Sequence, residues 1–291
     1  MVSAQDIEAK SSNLPIRLES VRIPGTPECH APLPACFEMS RALARLSRDR
    51  RKMWVKVCGF TDVANTVNAV RTGIDAVGLN FFEGSKRFVT PATAESICRT
   101  LKVSSDDSPT VRQLTRLSLR RSHMVDVVGL FVNSPAEDVI RISQQLDLDA
   151  IQFHGGEGID DIQQVHRECD DITVIRAVRV NRSGLEEAIQ HCRGLAVQIP
   201  NIVFLLDALV AGQFGGTGAM VDPDVIGTFC HAFVGHRVVI AGGLTPETVS
   251  SVVARHAAWG VDTASGVEDS PGQKNIERVE QFIANAKRPR C

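Results

Sequence analysis

The sequence predicts an α/β chain folded as a (β/α)8 TIM barrel of the phosphate-binding type. Three observations carry that prediction. Eight short runs rich in Val, Ile and Leu recur from Val55 onward, longer amphipathic stretches separate them, and glycine-rich turns follow the last three. The runs are continuously apolar and not alternating, which suits parallel strands covered by helices.

The strand candidates span residues 55–58, 76–79, 127–132, 150–153, 174–178, 202–206, 238–241 and 261–264. Helix starts are legible between them. Thr90 stands before Pro91 as an N-cap with proline in the first turn, opening a helix to Leu101. Ser134-Pro135 repeats the device ahead of Val139, Ile140 and Ile142, and Thr245-Pro246 does so ahead of Val249, Val252 and Val253. One connection, about residues 102–124, is long. It follows a helix and precedes a strand, so it belongs on the N-terminal face, away from the end where barrels do chemistry.

A chain of 291 residues suits one large barrel or two average domains. Residues 1–52 stand apart, with Pro15, Pro24, Pro27, Pro32 and Pro34 and a basic run ending at Lys52. Prolines remove donors and fix φ, so this stretch is expected to be a poorly structured N-terminal extension, flexible or a mis-called start. A targeting peptide is the third reading, weakened by the acidic residues there. Residues 53–291 are then a single barrel catalytic domain. Lys plus Arg total 32 against 34 Asp plus Glu, a net charge of −2, without the surplus cations that a nucleic-acid partner demands. The apolar fraction of 43 % excludes disorder, and no apolar run reaches the roughly 18 residues of a membrane helix. With no apolar secretory stretch at the N-terminus, a cytoplasmic protein is expected, with neither nucleic acid nor membrane as partner. The eight cysteines (29, 36, 58, 98, 169, 192, 230 and 291) form no CxxC pair. That argues against a disulfide framework and a zinc site and for reduced thiols, with no metal ligand set.

Barrel logic directs attention to the strand ends and the loops after them. Cys58 ends the first strand and Asp207 follows the sixth apolar run. Strands 1 and 6 lie across the mouth from one another, so a thiolate that takes a proton and a carboxyl that gives one would bracket a small substrate. Gly215-Gly216-Thr217-Gly218 follows strand 6, Ala241-Gly242-Gly243-Leu244 follows strand 7, and Ser265-Gly266-Val267 follows strand 8. Glycines there let backbone N–H groups approach an anion, the usual phosphate position in such barrels. Arg87, in the loop after strand 2, has the geometry to grip a carboxylate. Read singly, each residue has a plainer role. Cys58 suits a buried structural thiol, Asp207 a loop cap, Arg87 a solvated charge like Lys86, His154 a hydrogen-bonded structural residue, and Asp262 a group that orients the adjacent loop.

Taken together, the motifs from Val55 to Lys287 resemble the phosphoribosylanthranilate isomerases of tryptophan biosynthesis. The resemblance is carried by Lys56-Val57-Cys58-Gly59-Phe60-Thr61, Gly84-Ser85-Lys86-Arg87-Phe88-Val89, Gly129-Leu130-Phe131-Val132-Asn133 and Ile151-Gln152-Phe153-His154-Gly155. Leu206-Asp207, the glycine turns, and Val261-Asp262 with Ser265-Gly266-Val267-Glu268 complete it. It implies the cofactor-free Amadori rearrangement of N-(5-phosphoribosyl)anthranilate to 1-(2-carboxyphenylamino)-1-deoxyribulose 5-phosphate, the third step from chorismate to tryptophan. Asp207 would be the general acid on the furanose ring oxygen, and Cys58 the base that removes the C2 proton. Arg87 would pair with the anthranilate carboxylate, and amides around Gly242, Gly243, Ser265 and Gly266 would hold the phosphate. His154, Gly216 and Asp262 join the substrate-binding set through their motifs. The resemblance implies a monomer more than a homodimer, with a small phosphorylated molecule as partner. Ala264, Ala219, Phe88 and Val221-Asp222-Pro223 depart from the family pattern, which keeps a non-catalytic or altered-specificity sugar-phosphate barrel as the alternative.

Overall fold

The structure is a computed structural model that describes residues 53–103, 125–208 and 222–288. Eight parallel strands close into a barrel in sequence order. They are β1 (Trp54–Cys58), β2 (Ala76–Asn80), β3 (Asp126–Phe131), β4 (Ala150–Phe153), β5 (Thr173–Val180), β6 (Val203–Ala208), β7 (Arg237–Ile240) and β8 (Gly260–Thr263). A helix follows each: α1 (Val63–Arg71), α2 (Pro91–Val103), α3 (Ala136–Leu146), α4 (Ile159–Glu168), α5 (Leu185–Gln198), α6 (Pro223–Ala232), α7 (Pro246–Arg255) and α8 (Ile276–Ala286). The (β/α)8 expectation holds. The extension at 1–52, nearly all of the long connection, Ala219 and the Gly215–Gly218 turn, with its candidate Gly216, lie outside the described residues.

Alternation along each strand separates two cores. Residues such as Val55, Val57, Ile151, Phe153, Phe204 and Leu206 turn outward and pack with Val139, Ile162, Leu195 and Phe229 of the helices. The other parity turns inward, where Trp54, Ala76, Val128, Ala150, Val203 and Val239 fill the barrel floor. Both faces of every strand are therefore covered, which is why the runs are continuously apolar. Climbing from the floor, β1 pairs with β8 as Trp54 opposite Gly260 and Lys56 opposite Asp262. The inward parity delivers Cys58 at the top of β1, His154 just past β4 and Asp207 near the top of β6.

The helix starts follow their sequence signals with one exception. Thr90 Oγ1 accepts the Thr93 N–H at 3.2 Å. At α7 the Thr248 hydroxyl accepts the Thr245 N–H at 2.9 Å, with Pro246 in the first turn. Asp222 Oδ1 accepts the Asp224 N–H at 2.9 Å ahead of Pro223, so Pro223 does begin a helix. Ser134 is not a cap. Pro135 itself takes the cap position, in extended backbone with no side-chain acceptor, which leaves Ser134 one residue outside. A second departure matters more for the site. Between β8 and α8 the chain forms a short antiparallel hairpin, β9 (Glu268–Ser270) and β10 (Gln273–Lys274).

Candidate active site

Cys58 occupies its place because β2 leaves room for it. Gly78 stands opposite in the strand register, and a Cβ on Gly78 would lie 2.5 Å from Cys58 Sγ. One layer below, Lys56 is wholly enclosed, and its Nζ donates to Asp262 Oδ1 at 3.0 Å. Burial pulls the Lys56 ammonium down, but Asp262 and Cys58 beside it carry it above the ordinary lysine value. Burial pushes the Cys58 thiol up, and the Lys56 cation opposes that rise. Lys56 is thus the larger of two cations, with Lys274, that favour the thiolate.

Asp207 is buried and meets His154, whose Nε2 lies 3.1 Å from Asp207 Oδ2. The other ring nitrogen, Nδ1, lies 2.9 Å from Gln152 Nε2. In this arrangement Gln152 donates to Nδ1, so Nε2 carries the ring proton and donates to the carboxylate. The Gln152 Oε1 atom is buried without a hydrogen-bond partner. Turning that amide over satisfies Oε1 with an Nδ1–H and makes Nε2 an acceptor for a protonated Asp207. His154 has the hydrogen-bonded role its sequence context suggested, and its partner is the candidate acid.

The loops close the site. In the turn after β2, Asn80 Nδ2 donates to Ser85 Oγ at 3.0 Å, and Ser85 Oγ accepts the Arg87 N–H at 3.1 Å. Arg87 is not a solvated charge, whereas Lys86 beside it is exposed. The Arg87 Nε and Nη2 groups clasp Glu268 at 2.6–3.0 Å. After β7, Gly242 and Gly243 both take positive φ, 79° and 61°, backbone that a side chain would strain. Thr263 Oγ1 donates to the Leu244 carbonyl at 2.7 Å, tying the loop after β8 to the loop after β7. Arg278 of α8 donates to the Gly266 carbonyl through Nε and Nη2 at 3.1 and 3.0 Å, bracing the Ser265–Val267 turn from behind. Ala264, one of the positions that depart from the family pattern, packs with Cys58, Leu130 and Val132 in an apolar contact; by the resemblance the family residue there is a serine, so a hydroxyl is absent.

One cavity at the C-terminal mouth gathers Cys58, Asp207, Arg87 and His154 with Gly242, Gly243, Asp262, Ser265 and Gly266. Of the candidates only Gly216 is missing, since it lies outside the described residues. Asp262 reaches this cavity with its carboxylate paired to Lys56 at 3.0 Å. Several contributors went unassigned in the sequence. A lysine inside an apolar strand, two residues before the thiol, was the available signal for Lys56. Gln152 stands in the same relation to His154. Glu268 belongs to the motif after β8 without a role of its own there, and Lys274 had no local signal, because a hairpin brings the two together from six residues apart. Among the described residues, no group of three or more His, Cys, Asp or Glu is suited to hold a metal ion, and no helix is long and apolar enough to cross a membrane.

Comparison with known proteins agrees with this geometry. Residues 99–285 match the family model of N-(5'-phosphoribosyl)anthranilate (PRA) isomerase. The N-(5'-phosphoribosyl)anthranilate isomerase of Rubrobacter xylanophilus is 35 % identical over 234 residues, 80 % of this chain and 98 % of its own. That of Neisseria meningitidis serogroup B is 36 % identical over 239 residues, 82 % of this chain and 98 % of its own. The crystal structure of phosphoribosyl anthranilate isomerase from Thermotoga maritima superposes with a TM-score of 0.65 at 30 % identity, covering 81 % of this chain and 98 % of that one. A structure of such an isomerase in complex with reduced 1-(o-carboxyphenylamino)-1-deoxyribulose 5-phosphate matches with a TM-score of 0.62, also at 30 % identity and the same coverage. The chain belongs to the N-(5'-phosphoribosyl)anthranilate isomerase family and is an isomerase of tryptophan biosynthesis.

Proposed function

We propose that the cavity at the barrel mouth binds N-(5-phosphoribosyl)anthranilate and that Cys58 and Asp207 carry its Amadori rearrangement. Asp207 protonates the furanose ring oxygen as the C1–O bond breaks and the imine forms. Cys58 then removes the proton from C2, the C2–H electrons form a C1=C2 bond as the C1=N electrons return to nitrogen, and protonation of this enol at C1 with loss of the C2 hydroxyl proton leaves a ketone at C2. The observation that carries this reading is that both groups line one cavity together with Arg87 and the two glycine-bearing loops. Arg87 reads the anthranilate carboxylate, and the main-chain amides around Gly242, Gly243, Ser265 and Gly266 hold the phosphate. With Ala264 in place of a hydroxyl, the phosphate rests on amides there. The proposal takes the barrel as the catalytic unit of a cytoplasmic monomer, with residues 1–52 dispensable for chemistry.

An anthranilate-fluorescence assay tests it, run on the full chain and on a chain lacking residues 1–52. Loss of substrate fluorescence at equal rates in both supports the reading. Tight binding of the reduced product analogue without turnover in either would make the chain a sugar-phosphate binding barrel instead.

A further inference from the structure

The β9–β10 hairpin brings a carboxylate against Arg87 and an ammonium against the Cys58 carbonyl, and the reaction scheme leaves both unused. Glu268 has a side chain only 3 % exposed. It accepts Arg87 Nε at 2.9 and 3.0 Å and Arg87 Nη2 at 2.6 Å. It also accepts the Gly272 N–H at 3.1 Å and Lys274 Nζ at 2.5 Å. The same Lys274 Nζ donates to the Cys58 carbonyl at 2.5 Å. Lys274 is fixed in turn by Asn65, whose Nδ2 donates to the Lys274 carbonyl and whose Oδ1 accepts the Lys274 N–H, each at 2.9 Å.

A guanidinium presents donors along more than one edge. Glu268 occupies the edge made by Nε and Nη2. The edge made by Nη1 and the second Nη2 hydrogen is left, and Arg87 lines the cavity. A carboxylate on each of two edges is a geometry that one planar cation satisfies and an ammonium does not. Glu268 alone would cancel the charge of Arg87 toward a second anion, and Lys274 on its far side offsets that cancellation.

We infer that Glu268 is a positioning residue for substrate recognition, clamping one edge of Arg87 so that the other faces the aromatic carboxylate of the substrate, with Lys274 tying this clamp to the backbone of Cys58. The inference rests on the reading of Arg87 given above and deepens it. The clamp makes the carboxylate site a rigid part of the strand that bears the base. It selects a ligand with a planar carboxylate ortho to the nitrogen over one without it.

The test is the affinity of the full chain for two stable ligands, the reduced product analogue and the same molecule lacking its carboxylate. Arg87→Ala is expected to weaken the carboxylate ligand at least about tenfold and to leave the decarboxylated ligand unchanged. Glu268→Gln is expected to do the same to a lesser degree, and to add nothing once Arg87 is alanine. If Glu268→Gln is poorly folded by circular dichroism, Glu268→Asp replaces it, since the shortened side chain keeps the charge but loses the two-point clasp. Equal weakening of both ligands, or of neither, by the Glu268 variant while Arg87→Ala discriminates would overturn the inference alone. Failure of Arg87→Ala to discriminate would overturn the reading of Arg87 and the inference with it.

Discussion

Lys56 and Asp262 form an ion pair, 3.0 Å from Nζ to Oδ1, one layer beneath Cys58, with the lysine wholly shielded from solvent. Strand register sets them opposite one another, and two-residue alternation puts Lys56 on the same inner face as the thiol. The pair is neutral as a whole, but its lysine end favours the thiolate of Cys58 and its carboxylate end works against it, the lysine being the larger influence. The thiol is pushed up by burial and held back by the lysine, so the rate is expected to be sensitive to pH in the alkaline direction.

Lys56→Met removes the cation at nearly constant volume. The Cys58 thiol then loses the larger of the two charges that favour its thiolate, and its pKa moves further up. The rising limb of kcat/KM against pH is expected to shift to higher pH, with activity at neutral pH lost and partly regained in alkali. The variant also leaves Asp262 buried without its partner, a loss of about 3–5 kcal/mol in stability. A pH–rate profile taken well below the melting temperature separates the two effects. An unmoved limb would detach Lys56 from the base.

Gly78→Ala tests how closely β2 approaches the thiol. The added methyl would stand 2.5 Å from Cys58 Sγ, so the sulfur must move. The expected result is a fall of about a hundredfold in kcat from a misplacement of this size, with a stability cost of about 1–3 kcal/mol for overpacking. Wild-type kcat in a folded Gly78→Ala protein would show that the position of the sulfur is not critical.

Thr263→Val addresses the phosphate end. Its hydroxyl joins the loops after β7 and β8 through the Leu244 carbonyl at 2.7 Å. Without it the two loops lose their mutual register, at a cost of about 1 kcal/mol for the hydrogen bond. Steady-state kinetics should show KM raised several-fold and kcat little changed, since the acid and base are untouched. A fall confined to kcat would place Thr263 with the chemistry and not with the anion.

Glu157→Gln tests the turn after β4. Glu157 accepts the Asn133 and Gly155 N–H groups and pairs with Arg176 at 2.6 Å, and all of these contacts brace the residues that follow His154. Removing the charge leaves Arg176 buried and unpaired, an expected loss of about 3 kcal/mol in urea unfolding. A change within about 0.5 kcal/mol, the range of an ordinary surface substitution, would show the pair to be structurally idle.

The residues that sequence reasoning reached are those whose position follows from local rules. Val55, Val57 and Phe204 belong to runs whose period and composition announce covered strands. Cys58 and Asp207 sit where a barrel strand meets its loop, so their placement followed once the strands were counted. Thr90 and Thr245 mark helix starts through contacts three residues away. What escaped depends on contacts far apart in the chain. Glu268 meets Arg87 across 181 residues and Lys56 meets Asp262 across 206. Such pairs follow from barrel closure and a hairpin, neither of which leaves a local pattern. Ser134 misled for a local reason, since the proline after it was itself the boundary of the helix.

The central claim is that the sulfur of Cys58 and the carboxyl of Asp207 act on one bound ribose as base and acid. Single-turnover decay of substrate fluorescence in Cys58→Ala and Asp207→Asn, at saturating protein, tests this most directly. Each variant should bind the reduced product analogue and keep its fold yet lose at least about a hundredfold in the rate of decay. Decay at the wild-type rate in either one would contradict the assignment.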